Sequence, residues 1–119
     1  MIKQKNKISK LEQERKKLFA LLLSEDPLIE GCYSEILVKC GRSGCHCEKK
    51  PIHLVTRLGV REDGKIKNKV VRVADRENVK KLANRYREHK QALQELGQID
   101  EKQREIFKDL IKHKNCGYT

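Results

Sequence analysis

The sequence has no tryptophan, only two phenylalanines, three tyrosines and two prolines in 119 residues. So little aromatic bulk excludes a large core, and it leaves few rings on which nucleobases could stack. No run approaches the roughly 18 apolar residues of a membrane-spanning helix. The opening MIKQKNKISK lacks the apolar stretch and small-residue cleavage site of a secretory signal. The expectation is a cytoplasmic protein with no membrane partner, whose cysteines are reduced or metal-bound rather than paired as disulfides. Their odd number, five, fits that expectation. Also missing are a Gly-rich phosphate loop, a nucleophile elbow and an HExxH helix. The four histidines and scattered carboxylates form no evident acid–base pair, so no enzyme is expected.

What the chain does have is charge. Lys and Arg number 28 against 17 Asp and Glu, a formal net charge of +11, and 38% of residues are charged. A chain of this length supports one small domain, 1–119. The expected class is α+β: an N-terminal helical segment over 1–26, a Cys-rich β-subdomain over 31–75, and a C-terminal helical arm over 76–114.

Each element has a local reason. Ile8, Leu11, Leu18 and Leu22 follow 3-4 spacing with Arg15 in the intervening slot, which predicts an amphipathic helix. Pro27 disfavours helix at Asp26 and stops it. Residues 31–40, GCYSEILVKC, alternate as a strand does. Asp63-Gly64 lies between two β-rich runs and predicts a two-residue hairpin turn with positive φ at both positions. That turn places Glu62 opposite Lys65, Arg57 opposite Val70 and Leu54 opposite Val73. With the strand before them, the two runs make an antiparallel three-stranded sheet. The base of the hairpin is then apolar (Leu54, Val55, Val71, Val73) and its tip cationic. Asp75 is a suitable N-cap for the long helix that follows. One face of that helix carries Val79, Leu82, Tyr86, His89, Leu93, Leu96, Asp100, Gln103, Phe107 and Leu110, with Ile99 and Ile106 beside it. Gly97 costs only ~1 kcal/mol in a helix interior, so one long helix is expected, with a kink near Gly97 or a division at Asp100 as the alternatives.

The densest chemistry is Cys40-Gly-Arg-Ser-Gly-Cys45-His-Cys47, a C-x4-C-x-C spacing with His53 six positions on. Three soft ligands within eight residues suit tetrahedral zinc, and His53 completes a Cys3His set. Cys32, from the preceding strand, is the other candidate fourth ligand. Arg42, Lys49 and Lys50 favour thiolate formation, and a metal staple helps a small domain with a thin core. The same cluster is compatible with small buried thiols packing on the sheet, or with a redox pair at Cys45 and Cys47. No neighbouring βαβ pattern supports a thioredoxin-like fold. Cys116 is read as a tail thiol.

The order of these features resembles a known family. After the first helix come LIEGCYSEILVKCGRSGCHC, a Pro-led strand, a DGK turn and a helix carrying Asn84-Arg85-Tyr86-Arg87. From about Leu28 to about Leu96 the chain is similar to an uncharacterised family of small bacterial and archaeal proteins often associated with transposases and other mobile elements. The match is carried by Cys40, Gly41, Gly44, Cys45, Cys47 and Gly64, and more loosely by Pro51 and Arg57. The chain departs in having Ile52-His53-Leu54 where the family has aromatics, and in lacking the histidine that precedes that proline. In this register His53 replaces an aromatic. The resemblance implies a DNA-linked context and no particular activity.

The positive charge is uneven. Residues 1–20 hold seven basic and two acidic side chains, residues 57–72 six and two, residues 76–90 six and two, and residues 91–119 five of each. A β-ribbon with a cationic tip beside a basic helix can follow a phosphate backbone. The candidates are Arg57, Arg61, Lys65, Lys67, Lys69 and Arg72 on the ribbon, and Lys80, Lys81, Arg85 and Arg87 on the helix. The expectation is a zinc-binding, nucleic-acid-binding accessory protein, with DNA ahead of RNA, that assists or regulates a mobile-element recombinase and is a homodimer through its helices. The alternative is a coiled-coil interaction module whose Cys cluster is structural and whose charge confers solubility.

Overall fold

A computed structural model of the chain describes residues 1–39 and 53–118. The element order is α1 (Ile2–Leu22), β1 (Cys32–Val38), β2 (His53–Glu62), β3 (Lys65–Val70), a single 3-10 turn (Val73–Asp75) and α2 (Arg76–Lys114). The fold is α+β, with an N-terminal helix, a three-stranded antiparallel sheet in the order β1-β2-β3 and a long C-terminal helix. No described helix is long and apolar enough to cross a membrane. Cys40, Cys45 and Cys47 lie outside the described residues.

The chain forms two compact units, one of residues 1–25 and 89–119, the other of residues 26–88. In the second unit the hairpin register is the one its turn dictates. Asp63 (φ 52°) and Gly64 (φ 78°) both take the left-handed region that a type I′ turn requires. Glu62 then pairs with Lys65 and Arg57 with Val70. The expected rung between Leu54 and Val73 does not form. The β2–β3 ladder ends at Val70, where the chain turns toward the 3-10 turn, and Leu54 keeps only its partner on the other edge of β2, Leu37 of β1. Val73 is left 74% exposed. Asp75 ends this turn and stands immediately before Arg76, the first residue of α2.

Directly paired residues of an antiparallel ladder share a face. One face carries Tyr33 and Glu35 of β1, Thr56 and Leu58 of β2, and Lys67 and Lys69 of β3. The first turns of α2 contact this face. The Arg76 guanidinium donates to the Thr56 hydroxyl and the Leu54 carbonyl, both at 3.2 Å, and Lys80 approaches Glu35 at 3.9 Å. Thr56 is only 1% exposed. Its hydroxyl donates to the Val71 carbonyl at 2.9 Å, and the Val71 N–H returns a bond to the Thr56 carbonyl at 2.8 Å. Buried, the hydroxyl is fully engaged, as a polar group out of water must be. The segment before β1 is tied to α2 by the Ile29 N–H on the Leu82 carbonyl (3.2 Å) and by Arg85 on the Pro27 carbonyl (3.0 Å).

In the first unit α1 and the distal part of α2 run antiparallel. Gln4 meets Asp109, and eleven residues later Arg15 meets Asp100. Gln4, Ile8, Leu11, Arg15, Leu18 and Leu22 are the half-covered stripe of α1, as its spacing predicts. The polar centre is a small network. Arg15 donates to Asp100 (2.5 Å), to Glu12 (3.2 Å) and to Gln103, and the Gln103 amide donates to Glu12 (2.6 Å). The bond to Asp100 raises the Arg15 guanidinium pKa above its ordinary value.

The seam of α2 differs from the expected one. Val79, Leu82, Tyr86 and His89 are partly covered as expected. The stripe then passes through the buried Ala92, Leu96, and the buried Ile99, Gln103 and Leu110, with Ile106 between. Leu93, Asp100 and Phe107 stand outside it, Leu93 being 61% and Phe107 50% exposed. The reason is a spacing of three on both sides of His89 where strict alternation has three then four. Such a skip shifts the phase of a heptad by one residue, and it falls where the chain passes from one unit to the other. Helix assignment continues through Gly97 and Asp100, so α2 is not divided there.

Candidate nucleic-acid interface and metal centre

The hairpin separates the ribbon candidates into two sets. Lys65, Lys67 and Lys69 pair with Glu62, Val60 and Leu58, and so lie on the face that α2 contacts, toward its open end. Arg57 and Arg61 pair with Val70 and Ile66 and lie on the opposite face. Arg72 is exposed in the link after β3. The cations expected at the tip are thus divided between the two faces of the ribbon.

Glu62 modulates one of these sets. Its carboxylate binds Lys69 at 3.0 Å and Lys67 at 3.4 Å, and the hydrogen bond from Lys69 with its charge, then that from Lys67, hold Glu62 below the usual carboxylate range. Both lysines remain more than half exposed, at 59% and 57%. A bridge this open is screened and interchangeable with other anions. The lysines repeat every second residue, about 6.7 Å apart along the strand.

On α2, Lys80 and Lys81 line a shallow surface cavity of about 550 Å³ with Glu77, Asn84, Arg85 and Glu88. Lys80 is shared with Glu35, Arg85 with the Pro27 carbonyl, and Arg87 with the Asn84 side chain at 3.2 Å. Lys81 is exposed. Three of the four helix candidates thus have structural engagements, and the ribbon holds the freer cations. Near them Tyr33 donates to Glu35 at 2.9 Å, and loss of solvent, followed by that bond, pushes its phenol pKa up.

Arg76 and Thr56 were not singled out by charge or spacing. The alternation that puts Leu58 inward also puts Thr56 inward, and a buried threonine beside the first residue of a helix signals an anchoring bond.

His53 opens β2 and stands opposite Val38, the last residue of β1, and the three central cysteines fall between these two residues in the sequence. Cys32 pairs with Gly59 at the other end of the same ladder. Six residues of strand separate the two rungs, about 20 Å. Cys32 and Cys116 are free thiols, both exposed. Among the described residues, no three His, Cys, Asp or Glu side chains are grouped to hold a metal ion.

No family model, no curated protein and no solved structure matches the chain.

Proposed function

We propose that the protein is a basic nucleic-acid-binding accessory module whose β2–β3 ribbon follows a phosphate backbone, with DNA as the preferred partner. The observation that supports this most directly is the register that aligns Lys65, Lys67 and Lys69 on one face of the ribbon, with Arg57 and Arg61 on the other. Ammonium and guanidinium groups spaced along an exposed strand neutralise phosphates and release counterions. Such binding is read by charge more than by base sequence, in keeping with the scarcity of aromatic rings. A mobile-element recombinase is the protein partner this reading favours.

Within the same reading, Cys40, Cys45 and Cys47 hold zinc as a structural ion, and His53 rather than Cys32 completes the set. The position of His53 at the mouth of the Cys-rich segment supports this, as does the distance of Cys32 from that mouth. A closed four-ligand site stabilises the fold and leaves no open position for chemistry.

Two measurements test the proposal. Fluorescence anisotropy of a labelled duplex, titrated over a range of salt, should give affinity that falls steeply with ionic strength. The triple variant Lys65→Glu/Lys67→Glu/Lys69→Glu should flatten the salt slope by about three, about one for each lost phosphate contact. An absence of binding at low salt would overturn the reading. Metal content of tag-free protein should give one zinc per chain, lost in His53→Ala and retained in Cys32→Ser. The opposite pattern transfers the fourth position to Cys32, and a metal-free chain with full structure removes the zinc.

A further inference from the structure

One stripe of α2 lies beside the seam with α1 and is left open to solvent. Leu93, Gly97, Asp100, Arg104, Phe107 and Ile111 are all exposed, with Leu93 at 61%, Phe107 at 50% and Ile111 at 65%. Leu93 and Ile111 are 18 residues apart, five full turns at 3.6 residues per turn, so the stripe is straight and about 27 Å long. Its position is one residue past the seam throughout: Leu93 follows Ala92, Asp100 follows Ile99, and Phe107 follows Ile106. It therefore flanks the seam, about 100° round the helix from it, and Asp100 is its one member bonded to α1, through Arg15.

Gly97 is the informative member. A Cβ built there meets nothing within 4 Å, and its φ is not in the left-handed region. Neither backbone conformation nor crowding by a described residue requires glycine, yet glycine weakens a helix interior. The bare helix surface at Gly97 leaves room for a side chain that approaches from outside.

The spacing says what. The steps along the stripe are four, three, four, three, four, which read the same in both directions. An antiparallel second copy centred between Asp100 and Arg104 sets Leu93 against Ile111 of the other chain, Gly97 against Phe107, and Asp100 against Arg104. Each pair is complementary: apolar on apolar, an absent side chain under an aromatic ring, and acid on base. Each occurs twice about the two-fold axis, as an isologous interface demands. Asp100 already accepts from Arg15, and its side chain is 56% exposed, so it has lone pairs left for a second donor. Arg104 forms no ion pair with any described residue.

We infer that the protein forms an antiparallel homodimer through this stripe of α2. The inference is independent of the nucleic-acid reading, since every residue it uses lies outside residues 26–88.

Sedimentation of the full chain over a concentration series tests it. The expected mass is twice the 13.9 kDa of one chain. Gly97→Leu fills the space for Phe107, and Arg104→Asp sets Asp100 against a like charge. Each should weaken association by roughly tenfold or more, with helical circular dichroism retained. Leucine is the better helix former, so loss of assembly in Gly97→Leu would not reflect loss of helix. Arg104→Asp mixed with Asp100→Arg should assemble as a heterodimer, because both cross-chain pairs are then restored. A wild-type chain that stays monomeric at its highest soluble concentration would overturn the inference, as would a dimer that both variants leave equally tight.

Discussion

Residues 26–88 and the helical pair of residues 1–25 with 89–119 bury their side chains in different ways. The sheet unit closes over Thr56 and Leu58 with a dense set of backbone and side-chain hydrogen bonds from Val71 and Arg76. The helical pair buries small or unbranched groups, Ala92 and Gln103 among them, together with Ile99 and Leu110, and holds a charged network at its centre. The sheet unit derives its specificity from register, since a one-residue slip would expose Thr56 and Leu58 and bury their neighbours. The helical pair derives its specificity from polar groups placed in an otherwise apolar seam. Arg15, Gln103, Glu12 and Asp100 satisfy one another only when α1 and α2 are antiparallel and aligned as observed. A polar residue at a seam position is a known way to fix register at some cost in stability.

This contrast can be broken one side at a time. The largest effects should come from Ile99→Ala and Leu58→Ala, each costing about 3 kcal/mol by loss of buried volume. Circular dichroism at 222 nm follows mainly the helices. Tyrosine fluorescence follows the sheet unit, because Tyr33 and Tyr86 lie within it and Tyr118 is fully exposed. Ile99→Ala should lower the first midpoint more than the second, and Leu58→Ala the reverse. Coincident midpoints lowered equally by both variants would erase the distinction.

A smaller effect is expected from Thr56→Val. It keeps the shape but removes the donor to the Val71 carbonyl and an acceptor for Arg76. The expected cost is about 1–2 kcal/mol, read as a shift in urea midpoint with unchanged slope. Arg76→Lys combined with Thr56→Val should add less than its separate effect, since the two groups share a bond.

The smallest effect belongs to Glu62. Lys69 and Lys67 hold its folded pKa below the unfolded value. Its contribution is therefore fully present above the unfolded pKa and is lost as pH falls through the folded one. Thermal melting from neutral to acid pH should show the wild-type hairpin weakening over that acid range, relative to Glu62→Gln. Asp109, lowered chiefly by the Gln4 amide and then by His113, should behave in the same sense for the helical pair.

Much of this contrast is legible in the sequence, but unevenly. Asp63-Gly64 is sufficient to place the hairpin register, because few dipeptides accept two positive φ values. The 3-4 spacing of Ile8 to Leu22 is likewise enough to place α1. The distal seam of α2 is not readable by counting leucines. Leu93 and Phe107 are the bulkier choices and keep strict alternation, yet Ala92 and Ile106 take those places. A single skip of three residues carries no local marker. The faces of the ribbon follow from register once pairing is applied to each lysine in turn, although charge density alone suggests one tip. The ends of α1 and β3 depend on where the chain turns away from its partner, which is a tertiary event. The metal candidates are legible as a spacing, and the rung that places His53 opposite Val38 is what separates it from Cys32.

The position of β3 has one more consequence. It is an outer strand of the described sheet, and its far side presents backbone donors and acceptors with no strand beside them. An open edge of this kind invites a further strand from another molecule, and lysines along it discourage such growth. Lys65, Lys67 and Lys69 thus guard this edge whatever else they touch. Neutral replacements at these positions would remove that guard and promote fibrous or amorphous association, whereas acidic replacements would preserve it.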